Sequence, residues 1–165
     1  MGRKAFTLVE ILIVVVILGI LAAIVLPRFS NASAVARASM LADDLRIFRM
    51  QVQVFKSQHQ DVGPGYPVAG GAPTEDLFVQ QMTLSSKVSR QTAAPNTHGF
   101  PYGPYLQEIP ENPINGKNTV QIIPDGQAFP AQADDSHGWI YQPSTLTFHA
   151  DCTGTGSDGR SYFEY

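Results

Sequence analysis

The sequence predicts an α+β chain: a long N-terminal α-helix, one half membrane-spanning and one half amphipathic, packed on a small C-terminal antiparallel β-sheet. Three observations carry this. An uncharged run, Ile11 to Leu26, opens the chain; a stretch free of Gly and Pro follows with helical spacing of its apolar residues; and the last part is broken into short apolar segments by turn residues.

The apolar segment comes first. Arg3 and Lys4 precede Phe6, and from Phe6 to Leu26 the only charge is Glu10. About 21 residues at about 1.5 Å each give a helix of about 31 Å, the thickness of a bilayer's hydrocarbon core. Positive charge stays on the cytoplasmic side, so the N-terminus is expected in the cytoplasm and everything after Pro27 beyond the membrane. Arg28 reduces that asymmetry. A competing reading is a removable secretory signal peptide cut near Ala32-Ser33-Ala34, releasing a secreted binding protein or enzyme. The apolar run is longer than the usual 7 to 15 residues of such signals, and a carboxylate inside it costs about 2.5–3.5 kcal/mol at mid-membrane depth, less near the interface. A charge kept there calls for a partner.

The second half of the helix follows Pro27. Leu41, Leu45, Phe48, Val52 and Phe55 recur at alternating spacings of four and three, which puts them on one helical face, with Ile47, Met50 and Val54 expected to widen it. Together the two halves predict a nearly continuous helix from about Phe6 to about His59, on the order of 80 Å long, too long to pack wholly within a domain of this size. Gly and Pro clustered in residues 61–67 end it. Thr74, Glu75 and Asp76 offer a cap and acidic first turn for a short helix reaching about Met82. Residues 85–103 read as irregular. Thr119 to Ile123 reads as a strand, and residues 138–142 and 146–150 around Pro143-Ser144-Thr145 read as a hairpin.

Composition narrows the function classes. A chain of 165 residues with net charge −3 fits one domain and has no basic stripe for phosphate, so no nucleic-acid partner is expected. The single cysteine, Cys152, excludes an intrachain disulfide and a CxxC pair, and is expected to be buried and inert. Gly154-Thr155-Gly156-Ser157-Asp158-Gly159 fits GxGxxG literally but has no room for the following helix that a dinucleotide site needs. Ser157 likewise lacks the strand-to-helix elbow of a hydrolase nucleophile. His59, His98, His137 and His149 lack zinc-ligand spacing, and Trp139, Tyr141, Phe148, Tyr162 and Phe163 read as sheet core. No catalytic residue is assigned.

Lys4-Ala5-Phe6-Thr7-Leu8-Val9-Glu10 resembles the class III signal of type IV pilins and pseudopilins. The resemblance implies cleavage by a prepilin peptidase between Ala5 and Phe6, with Ala standing where Gly is commoner, and N-methylation of Phe6. It implies that Glu10 pairs with the free amine of a neighbouring subunit during assembly. Gly19 and Pro27 fall where the family places a helix-weakening Gly and a kinking Pro, so the helix is expected to bend or locally melt between them.

The implied organisation is a leader at 1–5, a transmembrane and assembly helix at 6–27, an amphipathic stalk at 28–60 and a globular pilin-like domain at 61–165. Residues 103–116 and 138–141 resemble the major pseudopilin of type II secretion, in which a PYL…P loop precedes the sheet. The function so implied is that of a structural subunit, not an enzyme, of a pseudopilus that drives export of folded proteins. Its implied partners are further copies in a filament, minor pseudopilins or pilins, the peptidase, an inner-membrane assembly platform with its ATPase, and lipid before assembly. Its expected location is the inner membrane, single-pass, with the domain periplasmic, then a periplasmic or extracellular filament. A type IV pilus subunit for adhesion, motility or DNA uptake is the alternative. No cofactor is certain, and calcium is the candidate, since major pseudopilins commonly bind it in a C-terminal loop. Asp151, Ser157 and Asp158 are the candidate oxygen ligands, with Asp134 and Asp135 also available, against the plainer reading of polar turn residues.

Overall fold

The computed structural model describes residues 7–165, and of residues 24–31 the backbone alone. The chain begins with α1, Leu8–Gln58, a helix of 51 residues or about 77 Å. Thr7 caps it: its hydroxyl accepts the Glu10 N–H, and the Glu10 carboxylate reaches back to the Thr7 N–H. The helix runs through Gly19 and Pro27 without interruption, so the local melting expected between them is absent from this state.

The C-terminal half of α1 forms one wall of the core. Leu41, Leu45, Phe48, Val52 and Phe55 are all buried, as their spacing predicts. Burying each of these side chains contributes about 1.5–3 kcal/mol. Ile47 and Met50, expected to widen this face, point outward instead, exposed to 39% and 53%. They sit about one and two residue steps (roughly 100° each) off the Phe48 line on the helix, and the sheet is too narrow to reach around to them.

The chain then turns through residues 59–74 into α2, Glu75–Thr83, capped by Thr74, whose hydroxyl accepts the Leu77 N–H. Phe78 and Met82 face the core. The segment read as irregular contains a two-residue antiparallel ladder, β1 (Ser85–Ser86) with β2 (Thr92–Ala93). Ser86 also bridges to Tyr102. Gly103 is needed where it stands: its φ is +70°, and a Cβ there would lie 2.6 Å from the Leu84 carbonyl oxygen.

The main sheet has three strands, β3 (Val120–Ile122), β4 (Trp139–Gln142) and β5 (Thr147–Ala150), in that order. The expected hairpin is present, with Trp139 opposite Ala150 and Gln142 opposite Thr147. The sheet is mixed rather than wholly antiparallel, because β3 pairs with β4 in parallel. The long connection from Ile123 to Gly138 lets the chain travel back and re-enter in the same direction, which a tight turn could not do. A Cβ on Gly138 would fall 2.1 Å from the Lys117 carbonyl oxygen, so only Gly allows this approach beside β3.

The sheet lies on the stalk through aromatic packing. Phe48 stacks on Phe148 with centroids 4.3 Å apart and leans on Trp139 at 5.0 Å. Arg49 fastens the same junction, donating to the main-chain oxygens of Phe148 and Tyr165 at 2.8–3.1 Å. A short 3₁₀ turn, Tyr162–Glu164, lies against β5.

Candidate assembly site at the N-terminal helix

Among the described residues, the N-terminal half of α1 packs against no other element of the chain. Ile11 to Leu18 each expose 51–58% of their surface, which for aliphatic side chains on a helix is open on every side. A Cβ added to Gly19 would meet nothing within 4 Å, so no contact inside the chain requires a glycine there. The surface is larger than a scattering of exposed apolar residues and marks a site of contact with lipid or protein.

Glu10 begins this surface. One carboxylate oxygen, Oε2, accepts the N–H and the hydroxyl of Thr7, both at 2.8 Å. The capping box therefore holds the carboxylate close to the helix N-terminus, where anions are favoured by the helix dipole. Ala5 and Phe6 lie outside the described residues, as does the side chain of Pro27. Among the described residues no helix is long and apolar enough to cross a membrane. The span expected at 6–27 lies partly outside the described residues, whose side chains within it are those of residues 7–23.

The candidate calcium ligands fall in two places: Asp134, Asp135 and Asp151 around the turn before β4, and Ser157 and Asp158 in the C-terminal turn. Asp151 is buried, and its carboxylate accepts the N–H groups of Asp134 and His137 and the hydroxyl of Ser136 at 2.7–3.1 Å. It serves as an internal acceptor that shapes the turn before β4. Asp158 sits in the exposed C-terminal turn, accepting the Arg160 N–H and the Tyr165 hydroxyl. Asp135 receives the N–H and hydroxyl of Thr153. Hydrogen bonds from Ser136 hold the Asp134 carboxyl below the usual carboxylate range. Ser157 makes none of these contacts. Among the described residues no three His, Cys, Asp or Glu side chains are gathered to hold a metal ion. Cys152 is buried beneath this region, and burial pushes its thiol up to about 11, so it is a poor nucleophile.

Two features escaped the sequence. His59, at the end of α1, is completely buried among Phe55, Ser86, Tyr102 and Tyr105, and its position four residues beyond Phe55 on the apolar face was the available signal. Asn112 and Asn115 act as internal ties, donating to the carbonyls of Gly138, His137 and Asp151. Nothing in their local sequence distinguishes them from ordinary turn residues.

A half-buried, half-bare helix laid on a small sheet is an α+β arrangement of the pilin-like kind, and residues 1–26 match the family model described as the prokaryotic N-terminal methylation motif. More particularly, the chain is similar to proteins named type II secretion system core protein G. That of Klebsiella pneumoniae is 26% identical over 125 residues, covering 76% of this chain and 77% of the relative. That of Aeromonas hydrophila is 26% identical over 125 residues, covering 76% of each chain. That of Pseudomonas aeruginosa is 28% identical over 128 residues, covering 78% of each chain. No solved structure matches the chain.

Proposed function

We propose that this chain is the major structural subunit of a type II secretion pseudopilus, and that it polymerises through the N-terminal half of α1 to drive export of folded proteins. The observation that carries the reading is the bare apolar helix of residues 8–23, headed by Glu10, on an otherwise well-packed domain. Such a surface needs lipid or identical helices around it, and a filament supplies the second once the first is left behind. The names of the relatives and the methylation motif support the same assignment.

In this mechanism the membrane holds residues 6–27, with the N-terminus cytoplasmic and the domain on the far side. A prepilin peptidase removes residues 1–5, and Phe6 becomes the methylated N-terminus. The new amine of one subunit then meets Glu10 of its neighbour, so that a carboxylate and an ammonium, each costly in an apolar surrounding, neutralise one another. Thr7 already holds one oxygen of Glu10, which leaves the other for the incoming amine. Gly19 and Pro27 weaken the helix where the subunit must change surroundings. An assembly platform with its ATPase adds subunits at the base, and minor pseudopilins complete the filament. The domain's role is spacing and contact, with no catalytic step.

The test is Glu10→Ala in the native host. The expected result is a chain still cut before Phe6 but retained in the membrane, with filaments and secretion reduced at least about a hundredfold, in line with the about 3–5 kcal/mol lost when one member of a buried pair is removed. Filaments at wild-type abundance would contradict the mechanism.

A further inference from the structure

We propose that His59 is an acid-sensitive latch: neutral, it pins the end of α1 to β1 and to the Tyr102–Tyr105 segment, and protonated, it releases residues 85–106 from the rest of the domain. His59 caps the C-terminal end of α1 and is fully buried. Its Nδ1 lies 2.7 Å from the Phe55 carbonyl oxygen, which can only accept, so Nδ1 carries the proton of the neutral ring. Its Nε2 then accepts from the Ser86 hydroxyl at 3.0 Å. The ring stacks on Phe55 at 3.8 Å, with the edges of Tyr102 and Tyr105 at 5.3 and 6.1 Å.

The Nε2–Ser86 contact and the aromatic enclosure suit the uncharged imidazole, while the main-chain hydrogen bonds of Phe55 and Lys87 favour the charged ring and are outweighed by burial. A second proton would force the Ser86 hydroxyl to reverse from donor to acceptor and would place a cation in a site closed to water. The groups facing His59 give that cation no counterion. Arg90, from the β1–β2 turn, adds a like charge; Tyr102 and Tyr105 are neutral phenols; and no carboxylate is among the described groups that contact it or bear on its titration. The face of Phe55 attracts a cation by about 0.5–2 kcal/mol, less than the several kcal/mol that desolvating the charge costs. Burial, with Arg90 adding to it, accordingly holds the imidazole below its ordinary value. Since the folded value lies below the unfolded one, the stabilisation is complete above about pH 6.5 and is lost as pH falls below it.

The release is local because the segment has few other holds. β1 and β2 are two residues each, and Ser86 and Tyr102 exchange one pair of main-chain bonds at 2.8 and 3.1 Å. Tyr105 ties to α1 through its hydroxyl on Gln58 and an edge contact of its ring with Phe55, while its N–H and that of Leu106 go to the Met82 carbonyl oxygen. The main sheet and the Phe48 cluster hold without His59. Short, weakly paired elements of this kind open below the global unfolding free energy.

The test uses the full chain in detergent micelles, following His59 by ring-nitrogen NMR and main-chain amides by hydrogen exchange between about pH 7.5 and about pH 5. The expected result is a His59 ring protonated at Nδ1 at neutral pH, and protection factors of Ser86 and Tyr102 that fall about tenfold or more on acidification while those of β4 and β5 hold. His59→Gln, which can donate to Phe55 and accept from Ser86 without titrating, is expected to remove the effect. Arg90→Gln, which leaves the His59 contacts in place, is expected to move its midpoint to higher pH. Unchanged protection at acid pH, a fall shared equally by β4 and β5, or a pH response that survives the His59→Gln substitution each overturns the latch.

Discussion

The two halves of α1 are one helix by backbone and two different objects by side chain. From Leu41 to Phe55 a single stripe is apolar and fully buried, and the remaining positions are polar or only partly apolar. From Leu8 to Ala23 nearly every position is apolar and all are exposed. A stripe is what one sheet can cover; an apolar cylinder is what only a bilayer or a ring of neighbours can cover. The difference assigns the domain's stability to the second half and, on the proposed function, its location and assembly to the first.

The sharpest way to break this division is to truncate one side chain in each half. Phe48→Ala removes a ring packed against Trp139 and Phe148 and is expected to destabilise the domain by about 3–5 kcal/mol, read from denaturant unfolding. Val15→Ala is expected to leave the same transition within about 0.5 kcal/mol, because Val15 is exposed on the bare half of α1. Arg49→Met comes next: losing a charged donor to the oxygens of Phe148 and Tyr165 is expected to cost about 1.5–3 kcal/mol by the same measurement.

Smaller effects sharpen the boundary of the core. The Tyr141 hydroxyl is buried and has no hydrogen-bond partner among the described residues, and burial pushes its ionisation well above the ordinary range. Tyr141→Phe removes an unsatisfied polar atom and is expected to be neutral or to stabilise by up to about 1 kcal/mol, where a satisfied tyrosine would lose stability. Met50→Gln, on the outer face of the stalk, is expected to change thermal unfolding by less than about 0.5 kcal/mol, as a residue outside the buried stripe should.

Much of this was legible in advance, for reasons visible at particular residues. The four-three spacing from Leu41 to Phe55, the Thr74 cap and the turn at residues 143–146 are local signals, and the structure honours each. The parallel β3–β4 pairing is a long-range event whose cause, the space left by Gly138 beside Lys117, has no local signature. Ile47 and Met50 misled because helical spacing shows which residues are apolar but not how wide a surface the partner offers. At the candidate site, Glu10 in an apolar run was conspicuous, whereas its engagement by Thr7 required the capping geometry. Asp151 was a candidate ligand by composition, and the internal donors its carboxylate accepts from had no local signature.

The account stands on residues 6–27 being kept as an assembly element rather than removed as a signal. N-terminal peptide mass spectrometry of the protein from membranes of its native host, with and without the prepilin peptidase, measures this directly. The account predicts a chain beginning at N-methylated Phe6 that is lost without the peptidase. A chain beginning near Val35, lacking the apolar half of α1 altogether, would contradict it.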